Sequence, residues 1–204
     1  MNIAVVTGEH GFEEDKFDAL FDGMEGIEFV REDLAEFVKD TNKSQYETVV
    51  FYNFHQQNPD PETAKAILDL TEKGQGLVIL HHAVLAFPNW EEFARICNMG
   101  DRRLESFHIG EKVHVNVADK NHPITSGIDD WDMIDETYVV KDPNPDSRVL
   151  LTIDHPKSMK VIGWIHTYQK SRVFCFQSGH DNDTYSVPQF REVLTRGIRW
   201  AARR

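Results

Sequence analysis

Gly76-Leu77-Val78-Ile79-Leu80-His81-His82-Ala83 is the stretch from which the fold can be read. Four apolar residues in a row, with no polar residue between them, make this the most apolar strand of the chain. Just upstream, Ala64, Ile67, Leu68 and Thr71 form one helical stripe that begins after Pro59 and Pro61 and is stopped by Gly74 and Gly76. Toward the amino terminus, Ile3-Ala4-Val5-Val6 reads as a strand ending in Thr7-Gly8, and Phe17, Leu20, Phe21 and Met24 recur at helical spacing. Ile27-Glu28-Phe29-Val30 and Thr48-Val49-Val50-Phe51-Tyr52 read as two further strands. Downstream, a short helical segment runs from Pro88 to Cys97. Val173-Phe174-Cys175-Phe176 is again strand-like, and a helix from Pro188 puts Phe190, Val193, Leu194, Ile198 and Ala201 on one face. Strands alternating with helices predict an α/β fold with a parallel sheet.

Residues 112–172 break that rhythm. Val113-His114-Val115-Asn116-Val117 and the segments 133–140, 149–153 and 161–165 look like strands without helices between them, which predicts an antiparallel extension. A chain of 204 residues with no linker or repeat is expected to form a single domain spanning 1–204.

The net charge of −12 argues against a nucleic-acid or anionic-membrane partner, either of which would need a cationic face. No apolar run approaches the roughly 18 residues of a membrane span, and Met1 leads directly into the first strand, so a cytoplasmic location is expected. Cys97 and Cys175 stand far apart without a Cys-x-x-Cys pair, which supports neither a disulfide framework nor a thiolate zinc site. Both read as buried small hydrophobes.

In open parallel sheets, ligands bind beyond the carboxyl ends of the strands. The residues there are His10, His55, the pair His81-His82, and His180. Imidazoles so placed serve as general acids and bases near neutral pH or as ligands to a divalent metal, and the sequence leaves both roles open. Asp181 follows His180, and Asp135-Glu136 precedes Tyr138, so carboxylates are at hand to orient an imidazole or move a proton. Trp164 and His166 share a face of one strand. Together they would suit a sugar ring, although Trp164 reads equally well as core. His55 reads better as a strand cap, and His114 and His155 as ordinary strand or surface residues.

Several long motifs in order resemble the trehalose-utilisation, or ThuA-like, family. They are the strand and histidine pair quoted above with Phe87-Pro88-x-Trp90, and His122-Pro123-Ile124-Thr125-x-Gly127 running to Asp135-Glu136-x-Tyr138. Trp164-x-His166-x-Tyr168 follows, then Gly179-His180-Asp181, Pro188-x-Phe190-Arg191 and Arg196-Gly197-Ile198-x-Trp200-Ala201. The resemblance implies a class I glutamine amidotransferase-like scaffold, a flavodoxin-like, doubly wound, mostly parallel sheet. In a true glutaminase the turn after the central strand holds a nucleophilic Cys, whereas here it holds His81 and His82. Neither Cys97, on a helix, nor Cys175, inside a strand, can replace that nucleophile, so glutaminase activity is not expected.

The chain departs from the family pattern where a Gly-Gly-x-Phe-like stretch is replaced by Asn98-Met99-Gly100-Asp101-Arg102-Arg103, which bears on substrate fit near His108. What the resemblance implies is a protein processing trehalose-related or 3-keto-sugar compounds, as a sugar lyase, hydrolase or isomerase. His82, His180, Asp181 and Glu136 are the expected catalytic residues, and His10, His81, His108, Asp135, Tyr138, Trp164 and His166 the expected substrate contacts. A non-catalytic sugar-binding or assembly module, and a metal-dependent hydrolase of another small substrate, are the alternatives. No cofactor is required by the pattern, but the histidine cluster admits a divalent metal such as zinc, manganese or cobalt. The expected partner is a small sugar, with no nucleic acid or membrane, and a homodimer is the commonest assembly of such folds.

Overall fold

The computed structural model describes residues 1–203. In chain order the elements are β1 (Asn2–Gly8), α1 (Glu14–Asp22), β2 (Glu28–Asp33), α2 (Leu34–Lys39), β3 (Thr48–Asn53), α3 (Pro61–Lys73), β4 (Gly76–Leu80) and α4 (Glu91–Cys97). After these come β5 (Ser106–Val117), β6 (Trp131–Val139), β7 (Arg148–Ile153), β8 (Val161–Tyr168), β9 (Ser171–Phe176), α5 (Asn182–Tyr185) and α6 (Pro188–Ala201). The strands form one nine-stranded sheet in the order β2-β1-β3-β4-β9-β8-β7-β5-β6.

The strands from β2 to β9 in that order pair in parallel, and those from β9 to β6 pair antiparallel. The sheet is therefore half parallel, where a mostly parallel one was expected. The reason is that residues 106–176 contain no helix between strands, and strands joined by short connections can pair only antiparallel.

Helices cover both faces of the parallel half, and β3 shows the alternation that this requires. Every residue of β3 is buried. On one face, the Thr48 hydroxyl donates to the Ile198 carbonyl of α6 at 3.1 Å, and the Tyr52 ring lies 4.4 Å from Phe17 of α1. On the other, Phe51 meets Phe37 of α2 and Phe93 of α4 at 6.4 and 6.2 Å.

The start and stop signals of α3 act as the sequence implies. Asp60 accepts from the Thr63 amide at 2.8 Å, Pro61 occupies the first turn, and Gly74 closes the helix in the left-handed conformation at φ 80°. The six-residue α2, held by a reciprocal Asp33–Glu36 capping box, is too short to leave a periodic stripe in the sequence. Cys97 and Cys175 are buried and unpaired in any disulfide. Among the described residues, no helix is long and apolar enough to cross a membrane.

The carboxyl-terminal helix seats directly on the start of β4. A Cβ at Gly76 would lie 2.5 Å from the Ala201 carbonyl carbon, so any side chain there must push strand and helix backbones apart. Gly76→Ala is expected to lower stability by about 1–3 kcal/mol, read as a reduced urea midpoint at unchanged slope. An unchanged midpoint would mean that α6 slides freely on the sheet.

Candidate functional site

The site begins with a backbone constraint. His81, the first residue after β4, has φ 53°, a left-handed conformation that costs a non-glycine residue about 1–3 kcal/mol. The turn is fixed from behind by Arg102, which is buried and donates to the carbonyls of Ala86 at 2.6 Å and Phe87 at 2.8 Å. Arg102 belongs to the stretch where the chain departs from the family pattern. Its visible role is to hold the histidine-bearing turn.

With the turn so held, the fully buried His81 faces inward. Its Nδ1 lies 2.8 Å from the Gln177 carbonyl, which can only accept, so Nδ1 carries the proton there. Nε2 then faces the Tyr138 hydroxyl at 2.9 Å, Glu136 Oε2 at 3.1 Å and His180 Nδ1 at 3.3 Å. His180 Nδ1 is also 3.3 Å from the same Glu136 oxygen, and Tyr138 donates to that oxygen at 2.8 Å. Burial alone would raise the Glu136 pKa, but the hydrogen bond from His180, the adjacent His81 imidazole and the Tyr138 hydroxyl outweigh it and hold the carboxyl well below the usual range. Glu136 in turn raises the pKa of His180 through their hydrogen bond, against the opposing effect of burial.

His82 lies on the next face of the turn. Its Nε2 donates to the Tyr52 carbonyl at 3.1 Å, which leaves the lone pair on Nδ1. That atom is buried and has no hydrogen-bond partner among the described residues. Burial first, then the neighbouring imidazoles of His81 and His10, push the His82 pKa well down and keep the ring neutral. His10 stacks on His82 at 4.2 Å, and burial followed by the imidazoles of His81 and His180 lowers its pKa too.

These groups form part of the wall of a cavity of about 180 Å³. His10, His82, Glu136, Tyr138 and His180 supply the polar surface, and Phe54, Leu85, Leu104, Phe107 and Ile109 the apolar surface. Phe107 and Ile109 are more than half exposed at its rim. A larger open depression of about 510 Å³ lies beside Arg95, Asn98 and His166, but the cluster of interacting imidazoles and carboxylate is elsewhere. We therefore take the smaller cavity as the candidate site.

Of the expected residues, His10, His81, His82, Glu136, Tyr138 and His180 meet here, and the others do not. His166 donates to the Ile96 carbonyl at 2.7 Å, and the fully buried Trp164 donates to the Cys97 carbonyl at 2.8 Å. The two do share a face, but β8 runs antiparallel to β9, which carries His166 toward the opposite end of the sheet from His180. His108 contacts Ser106 at 3.2 Å; strand alternation turns its neighbours Phe107 and Ile109 to the cavity in its place. Asp181 accepts from the Asp183 amide at 2.9 Å and caps α5. Its part in the site is limited to its charge, which favours protonated His180. Asp135 is buried and committed to backbone amides, accepting from Gly179 and His180 at 3.1 Å each and from Glu136 at 2.9 Å, so it shapes the site without facing a substrate. His55 stacks on Phe87 at 5.8 Å, outside the cavity.

Sequence reasoning missed Tyr52, Gln177, Phe107 and Ile109. Tyr52, next to last in β3, has its hydroxyl on the Gly179 carbonyl at 3.0 Å and its ring 4.3 Å from His82. Gln177 bonds His81 through its carbonyl and Glu136 through its side chain, 2.9 Å from the Glu136 carbonyl. The apolar alternation of Phe107 and Ile109 ahead of Val113 was the available signal for a longer β5.

The sequence profile of the ThuA family, described as trehalose utilisation, matches residues 2–201. A ThuA-like protein of Parabacteroides merdae superposes with a TM-score of 0.78 at 24% identity, over 99% of this chain and 90% of that one. A ThuA-like protein of Bacteroides uniformis gives 0.78 at 19% identity, over 98% and 91%. PurLQS of Thermotoga maritima gives 0.65 at 12% identity, over 98% of each chain, a likeness of fold alone. No curated protein matches the chain in sequence.

Because Asp135 ties β6 to the loop after β9, removing its charge should loosen that loop. Asp135→Asn is expected to cost about 1.5–3 kcal/mol, the range for hydrogen bonds to a charged group, with faster amide exchange at Gly179 and His180. Unchanged exchange there would show that the loop is held by other contacts.

Proposed function

The chain belongs to the ThuA, trehalose-utilisation, family, and from that premise and the geometry of the strand-end cavity we propose that it processes a trehalose-related or 3-keto sugar by histidine acid–base chemistry. The observation that carries this reading is the unpartnered, buried Nδ1 of a neutral His82 beside the His81–Glu136–His180 cluster. Its setting is a flavodoxin-like winding, supported by the parallel order β2-β1-β3-β4-β9 with the site beyond the carboxyl ends of β1, β4 and β9.

A carbon-bound proton beside a keto group becomes acidic because the negative charge left behind spreads onto the keto oxygen. His82 Nδ1 is the acceptor for that proton, since its other nitrogen is already committed to the Tyr52 carbonyl. His180, whose positive form Glu136 favours, supplies charge opposite the oxygen. Returning the proton to a neighbouring atom gives isomerisation. Breaking the glycosidic carbon–oxygen bond, with a proton added to the departing oxygen, gives elimination.

The cavity is smaller than the ~300–1,000 Å³ of sites for larger ligands. It therefore takes one sugar unit, with the second lying outward against the exposed faces of Phe107 and Ile109, as apolar ring faces favour. The elbow position holds His81, so no thiolate is available for glutaminase chemistry. A cytoplasmic location and a homodimer complete the proposal.

His82→Ala is expected to reduce turnover of a 3-keto disaccharide by at least about 100-fold, within the range for loss of a general base, with an unchanged far-UV circular dichroism spectrum. His166→Ala should leave turnover as it was. Full activity in the His82 variant would remove it from the mechanism. Saturable sugar binding without turnover in the wild type would instead support a binding module.

A further inference from the structure

The His81–Glu136–His180 cluster has dimensions that hydrogen bonding explains poorly. His81 Nε2, Glu136 Oε2 and His180 Nδ1 form a nearly equilateral triangle with edges of 3.1, 3.3 and 3.3 Å. Charge-assisted bonds between an imidazolium and a carboxylate close to about 2.7–2.9 Å, so the two imidazole–carboxylate edges are loose as ion pairs. A cation with bonds of about 2.0–2.1 Å at tetrahedral angles sets its ligand atoms roughly 3.3 Å apart, and slightly less at narrower angles. The observed edges match that spacing.

The groups around the triangle are those that a metal site requires. The other nitrogen of His81 donates to the Gln177 carbonyl at 2.8 Å, which fixes the tautomer and aims the Nε2 lone pair at the common point. Glu136 Oε2 is oriented by the Tyr138 hydroxyl at 2.8 Å. His180 is set by its backbone, whose amide is bound by Asp135 at 3.1 Å. A left-handed His81 is what turns the first ligand inward. Burial of the carboxylate leaves a negative centre of low polarity, where a cation is bound more strongly than at the surface.

We propose that these three side chains bind a divalent first-row transition cation through two imidazole nitrogens and one carboxylate oxygen, His180 Nδ1 releasing its proton as the cation takes over the positive charge beside the cavity. Such a set leaves at least one position open for water or a ligand oxygen, the arrangement of catalytic and not of structural sites. Glu136 and His180 also line the cavity, so the open position faces it. His82 is not a ligand. Its ring centre is 5.0 Å from that of His81, and its Nε2 faces the Tyr52 carbonyl.

The test needs no sugar, so its outcome is independent of the proposed reaction. Full-length protein stripped with chelator is titrated with Zn²⁺ by calorimetry and with Co²⁺ by visible absorption. The wild type is expected to take up one cation per chain, with cobalt bands of a low-symmetry nitrogen and oxygen site. His180→Ala and Glu136→Gln should each weaken binding beyond the roughly 10- to 100-fold that loss of a supporting residue costs. His82→Ala should retain it. Absence of uptake by the wild type overturns the inference whether or not the variants fold, and so does equal uptake by wild type and both ligand variants.

Discussion

Asp135 accepts hydrogen bonds from the amides of Gly179 and His180 although its strand, β6, stands four places from β9 in the sheet. At about 4.8 Å per strand, a flat sheet would separate the two by roughly 19 Å. The antiparallel arm must therefore curl back over the carboxyl ends of the parallel strands, and this carboxylate is one of the bonds that hold it there. Gln177 adds a second, from its side chain to the Glu136 carbonyl. Everything in the cavity depends on that curl, because it delivers Glu136 and Tyr138 to imidazoles carried by β4 and β9.

The scaffold and the chemistry are separable in this chain. The turn after β4 is strained at His81, and its side chain is an imidazole turned inward with Nδ1 committed to the Gln177 carbonyl. The strain is supported by Arg102, whose guanidinium gathers the carbonyls beyond the turn. The adjacent His82 differs in having a buried Nδ1 with no hydrogen-bond partner among the described residues.

The parallel half of the sheet was legible because its strands are unbroken apolar runs and its longer helices carry stripes, caps and stops. The strand ends named His10, His81, His82 and His180, which meet, together with His55, which does not, so the convergence itself had to come from the structure. What could not be read was direction. The period of β8 correctly put Trp164 and His166 on one face, but only the antiparallel pairing shows that this face meets the end of α4. Alternation likewise decides between His108 and its neighbours only once the inner face of β5 is known. Asp135 and Asp181 are chemically suited to catalysis, yet backbone amides claimed both, as they commonly do where a loop or short helix must be held.

The curl has a consequence for how the molecule is made. His10 and His82 are 72 residues apart in sequence, and the bonded pair His81 and His180 is separated by 99. Contacts of such long range form only after the entropy of closing large loops has been met. A stretch that stops short of residue 180 lacks one wall of the cavity, which is complete only once β9 has paired with β4 and the arm has docked. Docking of the arm is thus the step that completes the cavity, because it brings Phe107, Ile109, Glu136 and Tyr138 to the histidines.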